Sequence, residues 1–226
     1  MIGNIQKHWE ATKFDQQRGD ERQSVHTQKE LVAGIFGARM GFMPEYEPQM
    51  IGKTPDWRFL DPNGKPFFFA DVLNFHIDER IEREMEKDCR TKLGWCGDLP
   101  ASEVRLRHSL EEKAGKYSEI ADKLQLPFVV FVYGWFDSFL HWIEIQLCLQ
   151  KHEYALCKNY LQLSGVYHFD DAMVRGGEYM DHGYQFRFFA NPYALRPLKL
   201  GDGFVPVPVP DPEENNGHDI LVLAPT

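Results

Sequence analysis

The chain has 226 residues, with 25 Lys+Arg against 34 Asp+Glu for a formal net charge of −9, and 43% of its residues are hydrophobic. That length suits one large domain or a domain with extensions, and the absence of a repeat at a period of 20 to 50 residues excludes a solenoid. Net acidity argues against strong non-specific adhesion to nucleic acid, whose affinity comes from Lys and Arg displacing counterions, although a local basic groove stays compatible with it.

Residues 1–23 are polar and read as a loosely held arm. Over residues 24–40, Val25, Leu31, Val32, Ile35 and Phe36 recur near helical spacing, with Ser24 and Thr27 as possible caps and Gly37 and Gly41 near the end. A short strand is expected around residues 46–50, before the turn at Gly52 and Pro55. Next come two aromatic-rich runs, Trp57 to Leu60 and Phe67 to Leu73, around the turn formers Asp61, Pro62, Asn63 and Gly64, which predict a β-hairpin. Residues 78–92 are helix-permissive and 91–100 read as a loop. Residues 101–125 make a long amphipathic helix closed by Pro127, and residues 128–133 a strand buried on both faces. A helix follows from about residue 137 to 150, and residues 154–163 fit helix or strand equally. The Gly-rich residues 175–184 read as a surface loop, and residues 201–226 as an extended, Pro-rich acidic tail.

The alternation predicts an α/β protein, a central mixed sheet flanked by helices, with residues 24–200 as its single domain. No apolar run approaches the ~20 residues of a membrane span, and the start lacks a basic-then-apolar leader, so the expected setting is cytoplasmic without a membrane partner. Cys89, Cys96, Cys148 and Cys157 lack C-x-x-C spacing and read as reduced, buried thiols.

Register arithmetic singles out two acids. A hairpin turning between Asn63 and Gly64 pairs residues whose numbers add to 127, as those of Asp56 and Asp71 do. Directly opposed side chains stand roughly 4.5–5.5 Å apart at Cβ, near enough to share one hard cation. Two readings stand: the acids converge on an ion or a shared proton, or one caps a turn and the other ends its strand in solvent, as a one-residue bulge would bring about.

Glu30 on a helix, Pro55-Asp56 opening a strand, Asp71 on its partner, Lys113-Ala-Gly-Lys-Tyr117 on the next helix and the buried strand after Pro127 together resemble the PD-(D/E)XK, or restriction-endonuclease-like, nuclease superfamily over residues 24–150. The resemblance implies a restriction-endonuclease-like core with a C-terminal extension. It implies hydrolysis of DNA, or less favourably RNA, with Asp56, Asp71 and Glu30 holding Mg²⁺ or Mn²⁺. Where the family places a lysine two residues after the second acid, this chain has Leu73. Lys113 is then the stand-in catalytic cation, with Lys116 and Asn74 as substrate contacts, and a homodimer is left open. Leu73 and the negative charge motivate the rival expectation of an inactive nuclease-like binding module, and a carboxylate–metal hydrolase of a small phosphorylated substrate is a third. His76 and His141 read as solvent-facing and core residues, and Arg175, Arg187 and Arg196 among aromatics as a strand face or a nucleic-acid surface.

Overall fold

The computed structural model describes residues 21–75, 84, 87, 102–134, 142–150, 156–176 and 179–199. The expected N-terminal arm as far as Asp20, the acidic tail, His76, His141, Cys89, Cys96, the 91–100 loop and the start of the 137–150 helix lie outside these.

Helix α1 (Glu21–Arg39) leads into strands β1 (Met43–Tyr46), β2 (Trp57–Leu60) and β3 (Pro66–Phe75). Helix α2 (Ser102–Leu124) crosses to β4 (Phe128–Gly134), and α3 (Trp142–Gln150) and α4 (Leu156–Asn159) precede β5 (Leu163–Gly176) and β6 (Tyr179–Ala190). The six strands form one mixed sheet in the order β1-β2-β3-β4-β5-β6. The pairs β1/β2, β2/β3 and β5/β6 are antiparallel, whereas β3/β4 and β4/β5 are parallel. Parallel neighbours cannot be joined by a tight turn, and the helices between them supply the crossovers.

Period-two alternation sends the side chains of each strand to opposite faces. Phe68, Ala70 and Val72 of β3 and Val129 and Phe131 of β4 pack with Ala33 and Phe36 of α1. Phe69 and Phe75, with Phe128 and Val130, pack with Leu110, Ala114 and Ile120 of α2 and with α3 and α4. Every residue of β4 is buried, as its uncharged run implies. Cys148 and Cys157 are free and buried, and burial pushes both thiols up to about 12.

Three local expectations need correction. The strand expected at 46–50 lies earlier, at Met43–Tyr46, because β1 pairs with β2 from the residue before Pro44 onward. The helix expected from Ser24 begins three residues earlier, at Glu21, and runs through Gly37 as expected: a Cβ there would stand 2.1 Å from the Phe59 ring, and one on Gly34 2.5 Å from the Trp57 ring. Both glycines let α1 settle onto the aromatic face of β2, at a cost in helix propensity of about 1 kcal/mol each. The loop expected at 175–184 is instead the end of a ribbon, where β5 and β6 stay paired from Gly165↔Ala190 to Gly176↔Tyr179. Of the Arg and aromatic residues read there, Phe186 and Phe188 do pack in the core.

Candidate active site

Asp71 lies near the middle of β3, where its phase turns it to the α2 side, and it is 1% exposed. A carboxylate buried there needs donors, and α2 brings two, one turn apart. The Lys113 ammonium donates to Asp71 Oδ2. The Tyr117 hydroxyl lies 2.9 Å from Asp71 Oδ1 and 3.2 Å from the carbonyl of Thr54. Burial pulls the Lys113 ammonium down, but the charge and hydrogen bond of Asp71, with Asp56 and Glu112, outweigh it and leave its pKa raised. Burial and then Asp71 raise the Tyr117 phenol, so it stays a donor.

Asp56 precedes β2 by one residue. The ladder runs Trp57↔Ala70, Arg58↔Phe69 and Phe59↔Phe68, so Asp56 and Asp71 are the next partners along it. A bulge does occur, between Phe59 and Leu60, but on the turn side of the pair. It shifts the register from Leu60↔Pro66 at the loop to the ladder that aligns the acids. The turn is fixed by Asp61, whose Oδ1 accepts from the N–H groups of Asn63 and Lys65 at 2.9 Å each. Asp56 Oδ2 accepts from the backbone N–H of Val72 at 2.6 Å. Burial, then the charges of Asp71 and Glu30, raise the pKa of Asp56 well above the ordinary carboxylate value, against the Val72 N–H and Lys113. The acids are thus close enough for the charge of Asp71 to act on Asp56.

Glu30 approaches from α1. Its Oε1 lies 2.9 Å from His26 Nε2 and its Oε2 accepts from the Tyr46 hydroxyl at 3.1 Å. The Trp57 indole N–H donates to the Glu30 backbone carbonyl at 2.9 Å, tying α1 to the strand that follows Asp56. Asn74, an odd number of residues from Asp71, turns to the opposite face, and its Nδ2 lies 2.8 Å from His26 Nδ1. The structure therefore gathers Asp56, Asp71 and Lys113, sets Glu30 within electrostatic reach of Asp56, and holds Asn74 away from Lys113. Leu73, in the place of the family's lysine, packs partly buried against the α2-side core. Lys116 is exposed, its ammonium 4.6 Å from the Tyr117 ring centroid and its carbonyl accepting from Lys53 Nζ.

Sequence reasoning passed over Tyr117, Thr54, His26, Tyr46 and Lys53. Only Tyr117 carried a usable signal, its four-residue spacing from Lys113 placing both on one helical face. Among the described residues no group of three or more His, Cys, Asp or Glu forms a metal-holding cluster, and none of the described helices is long and apolar enough to cross a membrane. Two carboxylates are nevertheless a sufficient protein ligand set for Mg²⁺, which keeps waters and takes phosphate oxygens for the rest. Asp56, whose proton affinity is raised by burial and by the charges of Asp71 and Glu30, stands where a hard cation would relieve it. Comparison with protein-family models, with curated proteins and with solved structures returns no match.

Proposed function

We propose that the protein is a metal-dependent phosphodiesterase acting on DNA, with a restriction-endonuclease-like core. The observation that carries this reading is the alignment of Asp56 with buried Asp71 on adjacent strands, beside an ammonium delivered by α2. The order of one helix, a three-stranded meander, a second helix and a strand parallel to the last of the three supports the same core.

Asp56 and Asp71 would hold Mg²⁺ or Mn²⁺, with Glu30 adding negative charge beside Asp56. When bound, such an ion polarises a phosphoryl oxygen and makes water a better nucleophile at neutral pH. In the hydrolysis a water oxygen bonds to phosphorus and releases its proton to solvent as the bond to the leaving oxygen breaks, and that oxygen takes a proton from solvent, yielding a phosphate monoester and a hydroxyl. Lys113 keeps its proton and places positive charge where the phosphorane develops its negative charge. Tyr117 fixes the second oxygen of Asp71. The ammonium that the family carries on the strand would be supplied here by Lys113 from α2.

Incubating linear and supercoiled DNA with Mn²⁺ and the wild-type, Asp71→Asn and Lys113→Met proteins tests this. Wild type should cleave only with the metal, and Lys113→Met should be slower by about 10²–10³, the usual loss for one preorganised donor. Undiminished cleavage by Asp71→Asn would overturn the assignment. A second reading, a binding module on the same scaffold, draws on Leu73 and on the engagement of both Asp71 oxygens by Lys113 and Tyr117. Binding without cleavage of any DNA or RNA in Mg²⁺ or Mn²⁺ would favour it.

A further inference from the structure

After Tyr46 the chain leaves the ladder and returns at Trp57, and this excursion is closed at its base by the Glu47 N–H donating to the Asp56 carbonyl at 2.9 Å. Inside it, Met50 and Lys53 exchange both backbone hydrogen bonds, at 2.8 and 3.0 Å, so Ile51 and Gly52 form a two-residue tip. Both sit in the left-handed region, at φ 49° and 74°. Gly adopts that conformation without a steric penalty, and Asn tolerates it. A β-branched residue is strained there, and Ile51 is 41% exposed, so burial within the chain offsets only part of the strain.

The tip is not loose. Met50 is 2% exposed and packs into the α2-side core, the side toward which Asp71 points. Gln49 Nε2 donates to Thr54 Oγ1 at 2.9 Å, and the Thr54 carbonyl meets the same Tyr117 hydroxyl that holds Asp71. Five residues of extended chain place Ile51 no more than about 17 Å from Asp56. Cations stand beside it: Lys53 donates its ammonium to the Lys116 backbone carbonyl, which draws two lysines together one helical turn from Lys113 in a chain of net charge −9.

We propose that Ile51 is a wedge that enters a base step of duplex DNA next to the Asp56–Asp71 site, with Lys53 and Lys116 holding the flanking phosphates. The proposal rests on the hydrolase reading for its substrate. An apolar side chain on a rigid tip, flanked by ammonium groups, is the combination that unstacks a step while the backbone is held. An exposed Ile in a strained backbone conformation is accounted for if its apolar side chain makes its contact outside this chain.

A DNA duplex carrying 2-aminopurine near its centre reports unstacking as a rise in fluorescence when the full-length protein is added in EDTA, and Mn²⁺ then starts cleavage. Ile51→Gly should raise Tm by a few degrees, which removes misfolding as an explanation. It should also cut the fluorescence rise and the ratio of duplex to single-strand cleavage by about tenfold, since unstacking a step takes a few kcal/mol. Lys53→Gln should reduce the slope of log affinity against log salt by about one. A fluorescence rise and a cleavage ratio unchanged in Ile51→Gly would overturn the wedge while leaving hydrolysis intact. Wild-type protein that unstacks DNA through Ile51 but cuts nothing would keep the wedge and end the hydrolase reading, and wild-type protein that neither unstacks nor cuts would end both.

Discussion

Ionised Asp56 is held against its surroundings, since burial and the charges of Asp71 and Glu30 lift its affinity for a proton. An acid whose folded pKa lies above its unfolded value near 4 stabilises the fold while protonated, and that contribution fades as pH rises through the folded value. Asp56→Asn removes the charge and keeps an oxygen to accept the Val72 N–H. Its Tm should exceed that of wild type at pH 8, with the gap closing below about pH 4, as thermal melts across that range would record. An Asn variant less stable than wild type at pH 8 would mean that the acid is not strained by its neighbours. The site acid that limits apo stability is the one the proposed metal would relieve, so Mn²⁺ should raise the Tm of wild type and not of Asp56→Asn. Such an opposition of stability and activity is common where like charges are held together for a reaction.

At the scale of elements, α1 lies on β2 through Gly34 and Gly37, which leave room for the Trp57 and Phe59 rings. In an isolated helix Gly→Ala is stabilising by about 1 kcal/mol, but at Gly37 the added methyl would overlap a ring that is itself 0% exposed. Gly37→Ala should therefore destabilise by about 1–3 kcal/mol, the usual range for overpacking, read from the urea midpoint. A neutral or stabilising effect would show that α1 packs elsewhere. The same contact explains a limit of the sequence. A glycine near the end of a periodic run gives no sign of the ring that requires it, because that ring lies more than 20 residues away and leaves no local trace. The hairpin was readable for the opposite reason, since Asp61 to Gly64 set the turn within a few residues, although the register at the loop, Leu60↔Pro66, is one residue off the expected pairing. The bulge at Phe59 and Leu60 was not foreseeable in place, yet it brought the ladder into the phase on which the acids align. The face of Asn74 follows from that phase, whereas the approach of Glu30 from α1 and the reach of Lys113 depend on helix placement that no spacing in the chain encodes.

Across the whole molecule, the alternation of helices and strands told the fold class, and the six-stranded mixed sheet agrees with it. What stayed hidden was the length of β5 and β6, because a run with Gly176, Gly177 and Gly183 and several charges lacks the apolar alternation that marks a half-buried strand. β4 contacts β5 only as far as Tyr133↔Phe169, and beyond it Asp170–Gly176 have β6 as their sole sheet neighbour among the described residues. Two strands without a third are marginal in water. Backbone amides of residues 170–176 should exchange with solvent deuterium much faster than those of β4, whose protection should approach the global unfolding limit, and equal protection in the two segments would contradict this. Among the described residues, a protease should accordingly find its earliest foothold in the ribbon's outer half. The nicked product would then keep the two pieces clasped through the inner sheet, running as one species on a sizing column and as two on a denaturing gel.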